Sequence, residues 1–198
     1  MKISIAAILA TSILHPVALA VLTAKDVVTN VGIVTTVSGN INDVLGTLSP
    51  KTTGPDVANM GQKLVGQFNV IITNLGADIT AMQATPPFTA QADCDLIVAA
   101  LTGFVNIHQA LLATVIGKRS IFSQFGATAP IAAVLRTLEA TIDSFAFAMI
   151  DLIPCGASSV TNDKNGLDTS VGKSITLYEH PCIPSILYPT VMPVCLVN

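Results

Sequence analysis

Side chains able to do chemistry are sparse in this 198-residue sequence. Past residue 20 there are two histidines, His108 and His180, and no Gly-x-Ser-x-Gly elbow, His-Glu-x-x-His pair or phosphate-gripping glycine loop accompanies them. His108 falls at helical spacing among Ile97, Leu101, Phe104, Leu111 and Val115. The more frequent role for such a residue is a core histidine satisfied by a hydrogen bond; the sharper one is to orient a ligand carboxylate or act as a base. His180 precedes Pro181 and reads as solvated. Asp93 and Asp95 flank Cys94 at the start of a helix, where attraction to the helix dipole accounts for them without a cation. Glu139 and Asp143 are one turn apart, opposite an apolar stripe, and read as a solvated face and not as a catalytic acid pair. No catalytic residue, metal site or cofactor is assigned, and the chain reads as non-enzymatic.

The four cysteines, Cys94, Cys155, Cys182 and Cys195, lack the close spacing of a zinc or redox site. Their chemistry is read together with residues 1–20, where Lys2, the apolar Ile3 to Leu14 and Ala18-Leu19-Ala20 have the pattern of a signal peptide. A chain exported to an oxidising compartment is expected to form disulfides. Three pairings are open.

The remaining chain is long enough for one domain with a sizeable core. The full sequence is 51% hydrophobic but only 5% aromatic, with no Trp, and so is rich in aliphatic side chains. Without Lys2 it carries eight basic and twelve acidic residues, a charge of about −4, with no basic cluster beyond Lys118-Arg119. Nucleic acid and anionic membranes both favour clustered positive charge, so neither is an expected partner. Leu96 to Ile116 has the length of a bilayer span, but Asn106, His108 and Gln109 near its centre favour a buried bundle helix over a transmembrane segment.

Helical periodicity dominates residues 21–179. Val27, Val31, Val34, Ile41, Val44, Leu45 and Leu48 share a first face, with Thr23 and Asp26 as a capping pair. A second helix follows Gly54-Pro55 and presents Val57, Met60, Leu64, Phe68, Ile71, Leu75, Ile79 and Met82. Thr89 is placed as N-cap of a third, and Phe122 and Phe125 lie in a loop or short turn over Ser120 to Ala129. A fourth helix sets Ile131, Leu135, Leu138, Ile142, Phe145, Met149 and Leu152 on a stripe broadened by Val134, Phe147 and Ile150, and a more polar fifth spans roughly Ser158 to Tyr178. The expected fold is all-α: an up-and-down bundle of about five amphipathic helices with an irregular proline-rich tail over residues 180–198. Antiparallel packing of the third and fourth helices would bring Cys94 to Cys155, the pair expected to bridge. Cys182 and Cys195 can close the tail into a loop, or the tail can fray.

Certain phrases resemble the fungal hydrophobic surface-binding protein A family, which includes cell-wall galactomannoproteins. They are Pro86-Pro87-Phe88-Thr89 leading to Asp93-Cys94-Asp95, Val105 to Leu112, Ile116-Gly117-Lys118, Pro130 to Glu139, and Ile150 to Cys155. The resemblance runs from about Leu22 to Tyr178. It implies a secreted helical bundle that attaches to hydrophobic surfaces and, in some members, binds fatty acids between helices. The sequence departs from wall-anchored members in having no long Ser/Thr-rich tail and, past the leader, no Asn-x-Ser/Thr acceptor.

The expected ligand-binding residues are the large apolar side chains of the stripes: Phe68, Ile71, Leu75, Leu101, Phe104, Leu111, Leu135, Ile142, Phe145 and Met149, with His108 as the polar group among them. The expected partner is a fatty acid or other amphiphile, or a hydrophobic surface, with a secreted esterase as a further candidate. The expected location is extracellular or in the cell wall. A structural or antigenic wall protein, an adhesion or esterase-recruiting factor, and more distantly a helical enzyme inhibitor are the alternatives.

Overall fold

The computed structural model describes residues 21–196, so the expected leader lies outside the described residues. Six α-helices follow one another: α1 (Ala24–Gly46), α2 (Gly54–Gln83), α3 (Gln91–Gly117), the short α4 (Arg119–Gln124), α5 (Thr128–Leu152) and α6 (Ala157–Glu179). A single 3-10 turn, Pro154–Gly156, joins α5 to α6.

Local chemistry sets most of the helix starts. Thr23 Oγ1 accepts from the backbone N–H of Asp26 at 3.2 Å while the Asp26 carboxylate accepts from the N–H of Thr23 at 2.9 Å, a reciprocal capping box. The hydrogen bonds from Thr23, side chain first, hold the Asp26 carboxyl below the usual carboxylate range. Thr53 caps α2 through the N–H of Asp56, with Pro55 in the first turn.

Thr89 does not cap α3: the N-cap is Ala90, which makes no side-chain capping bond. The N–H of Phe88 donates to the carbonyl of Leu152 at 2.7 Å and ties the preceding extended stretch to the end of α5. A tertiary tie, and not a local cap, therefore fixes where α3 begins. Between α4 and α5 the chain reverses through Gly126, at φ +72°. The N–H of Gly126 bonds to Ser123 and that of Ala127 to Phe122, a Schellman closure that a Cβ at residue 126 would strain.

The five long helices close into a ring in the order α1, α2, α5, α6, α3. Neighbours in sequence alternate in direction, but α1 with α3, α3 with α6, and α2 with α5 pack side by side in parallel. The expectation that α3 and α5 are adjacent is corrected, since α6 lies between them. Cys94 and Cys155 nonetheless form the expected disulfide, because the 3-10 turn after α5 carries Cys155 across to the start of α3. Polar ties, one part-buried and one buried, hold α3 between its parallel neighbours. Thr114 reaches Asn42 of α1 at 2.6 Å, and the Tyr178 hydroxyl of α6 donates to the Val115 carbonyl at 2.6 Å.

The stripes fill the ring. Val44 and Phe147 are exceptions, at 44% and 61% exposed. Val44 borders a surface hollow, and the Phe147 ring lies outside beneath the Lys164 ammonium. Lys164 also bonds both Asp143, at 2.6 Å, and Asp168, which raises its pKa; Asp143 thus serves an ion pair with α6 and is not paired with Glu139.

The tail is ordered as far as residue 196. Its ends pair as two short antiparallel strands, β1 (Cys182–Ile183) and β2 (Val194–Cys195), joined by the Cys182–Cys195 disulfide. The buried Arg119 of α4 donates to the carbonyls of His180 and Leu196, and Gln124 exchanges two hydrogen bonds with the backbone of Ser185. His180 is therefore half-buried at an anchored junction and not freely solvated.

The Cys94–Cys155 bridge closes a loop with a sequence separation of 61, which on a chain-entropy account is worth about 4 kcal/mol. Replacing both residues by serine is expected to lower the denaturant midpoint accordingly with the helical spectrum retained; an unchanged midpoint would show that the bridge does not brace the ring.

Candidate functional site

All eleven residues expected to contact a ligand lie in the interior of the ring, none more than 5% exposed. They come from α2, α3 and α5. In this closed form they fill the interior. The gap between α3, α5 and α6 beside Phe104 and Phe145 is about 20 Å³, room for a single water, and the gap beside Met82 and Met149 has no such room.

Among the buried polar groups of this interior, one is left half-paired. His108 is fully buried, and its Nδ1 lies 2.9 Å from Oγ of Ser38, also fully buried, on α1. Its other nitrogen, Nε2, has no partner among the described residues. The ring of Phe68 meets the imidazole edge-on at 6.1 Å between centroids and that of Phe104 is tilted at 5.3 Å. Burial lowers the His108 pKa to about 4, so the imidazole is neutral at pH 7. An unpaired polar atom in such a place costs about 1–3 kcal/mol.

Sequence reasoning named His108 and missed Ser38. The signal was available: Val34, Ser38 and Ile41 share the inward spacing of α1, so Ser38 is a small polar residue on an otherwise apolar stripe, matched by His108 on the stripe of α3. Neither helix alone shows that the two meet, because that depends on the parallel packing of α1 and α3.

The seam between α1 and α2 is the thinnest contact in the ring. Toward the tail end it opens into a hollow of about 380 Å³, walled by Ile41, Val44, Leu45, Met60 and Leu64, with Lys63, Gln67 and Asn40 on the rim. This volume lies in the lower part of the range of roughly 300–1,000 Å³ typical of small-molecule sites. Ser38 is one turn from Ile41 and Phe68 one turn from Leu64, so the floor of the hollow adjoins the layer that holds His108. Further along the seam, Asp78 of α2 is half-buried beside Asn30 of α1; burial pushes its carboxyl up to about 6, against a hydrogen bond from Asn30. A second hollow, of about 440 Å³, lies between α2 and the turn at Phe125, Gly126 and Ala127.

Helix α3 is long and apolar enough to cross a membrane by length and composition. Here it is a bundle helix that buries Cys94, Ile97, Leu101, Phe104, His108, Leu111 and Val115 against its neighbours.

The described residues thus form a helical ring with a largely apolar interior, one buried imidazole held by Ser38, and a hollow along the α1–α2 seam. The fold is found in solved structures. It matches Afmp4p in complex with palmitic acid at a TM-score of 0.71 and 13% identity, over 79% of this chain and 100% of that one. Ligand binding domain 2 of the Penicillium marneffei MP1 protein, in complex with arachidonic acids, matches at 0.66 and 14%, over 78% and 91%. Domain 1 of the same protein, also complexed with arachidonic acids, matches at 0.66 and 13%, over 78% and 95%. At these identities the likeness establishes the fold alone. No family model matches the sequence, and no curated protein sequence does.

Because the folded pKa of His108 lies below its ordinary value of 6.5, the unfolded chain takes up the proton first as the solution is acidified. Stability linked to this residue is therefore complete above about pH 6.5 and is lost as pH falls toward about 4, an effect of about 3 kcal/mol. Asp78, with its pKa raised, works in the opposite sense below about pH 6. Denaturant titrations from pH 7 to 4 are expected to show a markedly shallower loss for His108→Leu than for the native chain; parallel curves would place the titration elsewhere.

Proposed function

We propose that this protein is a non-catalytic, secreted carrier that binds a fatty acid inside its helical ring, the carboxyl group on the Ser38–His108 dyad and the hydrocarbon among Phe68, Phe104, Ile142, Phe145 and Met149. The observation that carries the reading is the unpartnered Nε2 of the fully buried His108, aligned with an apolar interior. A neutral imidazole suits either form of the head group: Nε2 accepts from a protonated carboxyl, or donates to a carboxylate when the Ser38 hydroxyl donates to Nδ1. The hydrophobic interior supplies the rest of the affinity, at about 0.8 kcal/mol per buried methylene.

Entry follows the α1–α2 seam. Its hollow already admits part of a hydrocarbon chain, and parting α1 from α2 by a few ångströms would extend it to the dyad. Fatty acids bound to Afmp4p and to both MP1 domains support the ligand class, since the same fold accommodates such guests there. The two disulfides suit an oxidising, extracellular setting. The sequence phrases described above support, in this reading, a kinship with the fungal hydrophobic surface-binding and galactomannoprotein family.

Palmitate is expected to bind delipidated protein at about one molecule per chain. His108→Leu is expected to weaken it roughly 10- to 100-fold, the worth of a hydrogen bond to a charged group, while methyl palmitate, whose ester carbonyl accepts only a neutral hydrogen bond, loses markedly less. Equal palmitate affinities for the two chains would remove His108 from the head-group site, and the absence of binding to the native chain would remove the function.

A further inference from the structure

The tail presents a different surface. From Pro181 to Leu196 the sequence contains no Lys, Arg, Asp or Glu, and its aliphatic side chains point outward: Ile186 is 99% exposed, Ile183 and Val194 62% and 61%, Leu187 61%. An unstructured tail could hide such residues by collapsing on the bundle. This one is held in place by the Cys182–Cys195 disulfide, by Arg119 on both ends of the loop, and by the two hydrogen bonds between Gln124 and Ser185. The buried Arg119 guanidinium accounts for the carbonyls at the base, so the apolar tip is displayed by a braced frame.

We propose that this loop is a docking element for an uncharged lipid bilayer surface, into whose interfacial zone Ile183, Ile186 and Leu187 insert. A short loop with an almost fully exposed isoleucine offers too few side chains for the roughly 800 Å² per partner of a stable protein interface. A fluid apolar phase conforms to any such tip. With no charge in the loop and about −4 on the chain past residue 20, attraction to anionic lipid is absent, so insertion rests on apolar burial.

Position gives the element a use. Tyr188 of the loop packs edge-on against Phe125 at 5.6 Å between centroids, and Phe125 walls the 440 Å³ hollow beside α2. The same ring sits against Gly54 so closely that a Cβ there would be 2.8 Å from it, which ties the loop to the start of α2. Helix α2 is one wall of the entry seam. A bilayer engaged by the loop would thus lie at the end of the bundle where both hollows open, and a fatty acid could pass between membrane and seam without crossing bulk water. This use rests on the fatty-acid reading; the docking itself does not.

The test is flotation of the full chain with phosphatidylcholine vesicles, alongside the exposed double variant Ile186→Asp/Leu187→Asp. The native chain is expected to co-float equally at low and high salt, and the variant to partition at least about tenfold less, with its helical spectrum and its affinity for palmitate in vesicle-free buffer unchanged. Transfer of a fluorescent fatty acid from vesicles is expected to speed up with vesicle concentration for the native chain and not for the variant. Native chain that stays out of the vesicles, a variant that floats equally well, binding that requires anionic lipid, or self-association of the native chain abolished by the same substitutions would each overturn the proposal. Loss of palmitate binding by the native chain with flotation intact would instead overturn the carrier reading and leave the docking element standing.

Discussion

Nitrogen Nε2 of His108 is buried inside the helical ring with no partner among the described residues, while Nδ1 is held by Ser38. The Val, Ile, Leu, Phe and Met side chains around it have no need of an imidazole, and a leucine of similar size would fill the space without an unpaired ring nitrogen. The dyad also constrains the fold. It couples α1 to α3 across the layer that Phe68 of α2 closes, so the three helices that surround the entry seam meet at one polar point. Binding as proposed depends on that point: apolar stripes are common to all bundles, whereas a half-satisfied histidine among them is not.

The ring around the dyad is unevenly braced. At one end the Cys94–Cys155 bridge, the Phe88–Leu152 hydrogen bond and the contact of the Leu22 N–H with Thr85 gather the starts of α1, α3 and α6 with the ends of α2 and α5. Side-chain ties from α3 reach α1 and α6, and ion pairs join α5 to α6. Between α1 and α2 the described polar contact is the Asn30–Asp78 pair near the braced end, and the seam widens away from it. A structure held in this way can part along one line while the remainder keeps its packing, which is the mechanical requirement for admitting a long apolar guest into a filled interior.

Much of this was legible from residue types and spacing. The apolar stripes marked the five long helices, and the Thr23–Asp26 pair marked the start of α1, because both are local signals. Partner choice was not local. The sequence pattern favours sequential neighbours, and it took the crossing of α6 between α3 and α5 to show that Cys155 reaches Cys94 through a 3-10 turn. Thr89 had the right chemistry for a cap but lost to the tertiary tie at Phe88. His108 stood out as a lone histidine on an apolar stripe; Ser38 did not, because serine is unremarkable in a helix until its partner is known. The order in the tail was hidden for the same reason: its anchors, Arg119 and Gln124, lie in a six-residue helix some sixty positions earlier.

The proposed site sets a carboxyl group against the buried imidazole. The most direct measurement is the NMR spectrum of the His108 ring nitrogens, labelled with 15N, during addition of palmitate labelled with 13C at the carboxyl carbon. A large shift confined to Nε2 of His108 and a carboxyl resonance displaced from its free position are expected, both absent in His108→Leu. A carboxyl signal that moves while both His108 nitrogens stay unchanged would place the head group elsewhere, for example at Lys63 on the rim of the hollow, and would remove the Ser38–His108 dyad from the site.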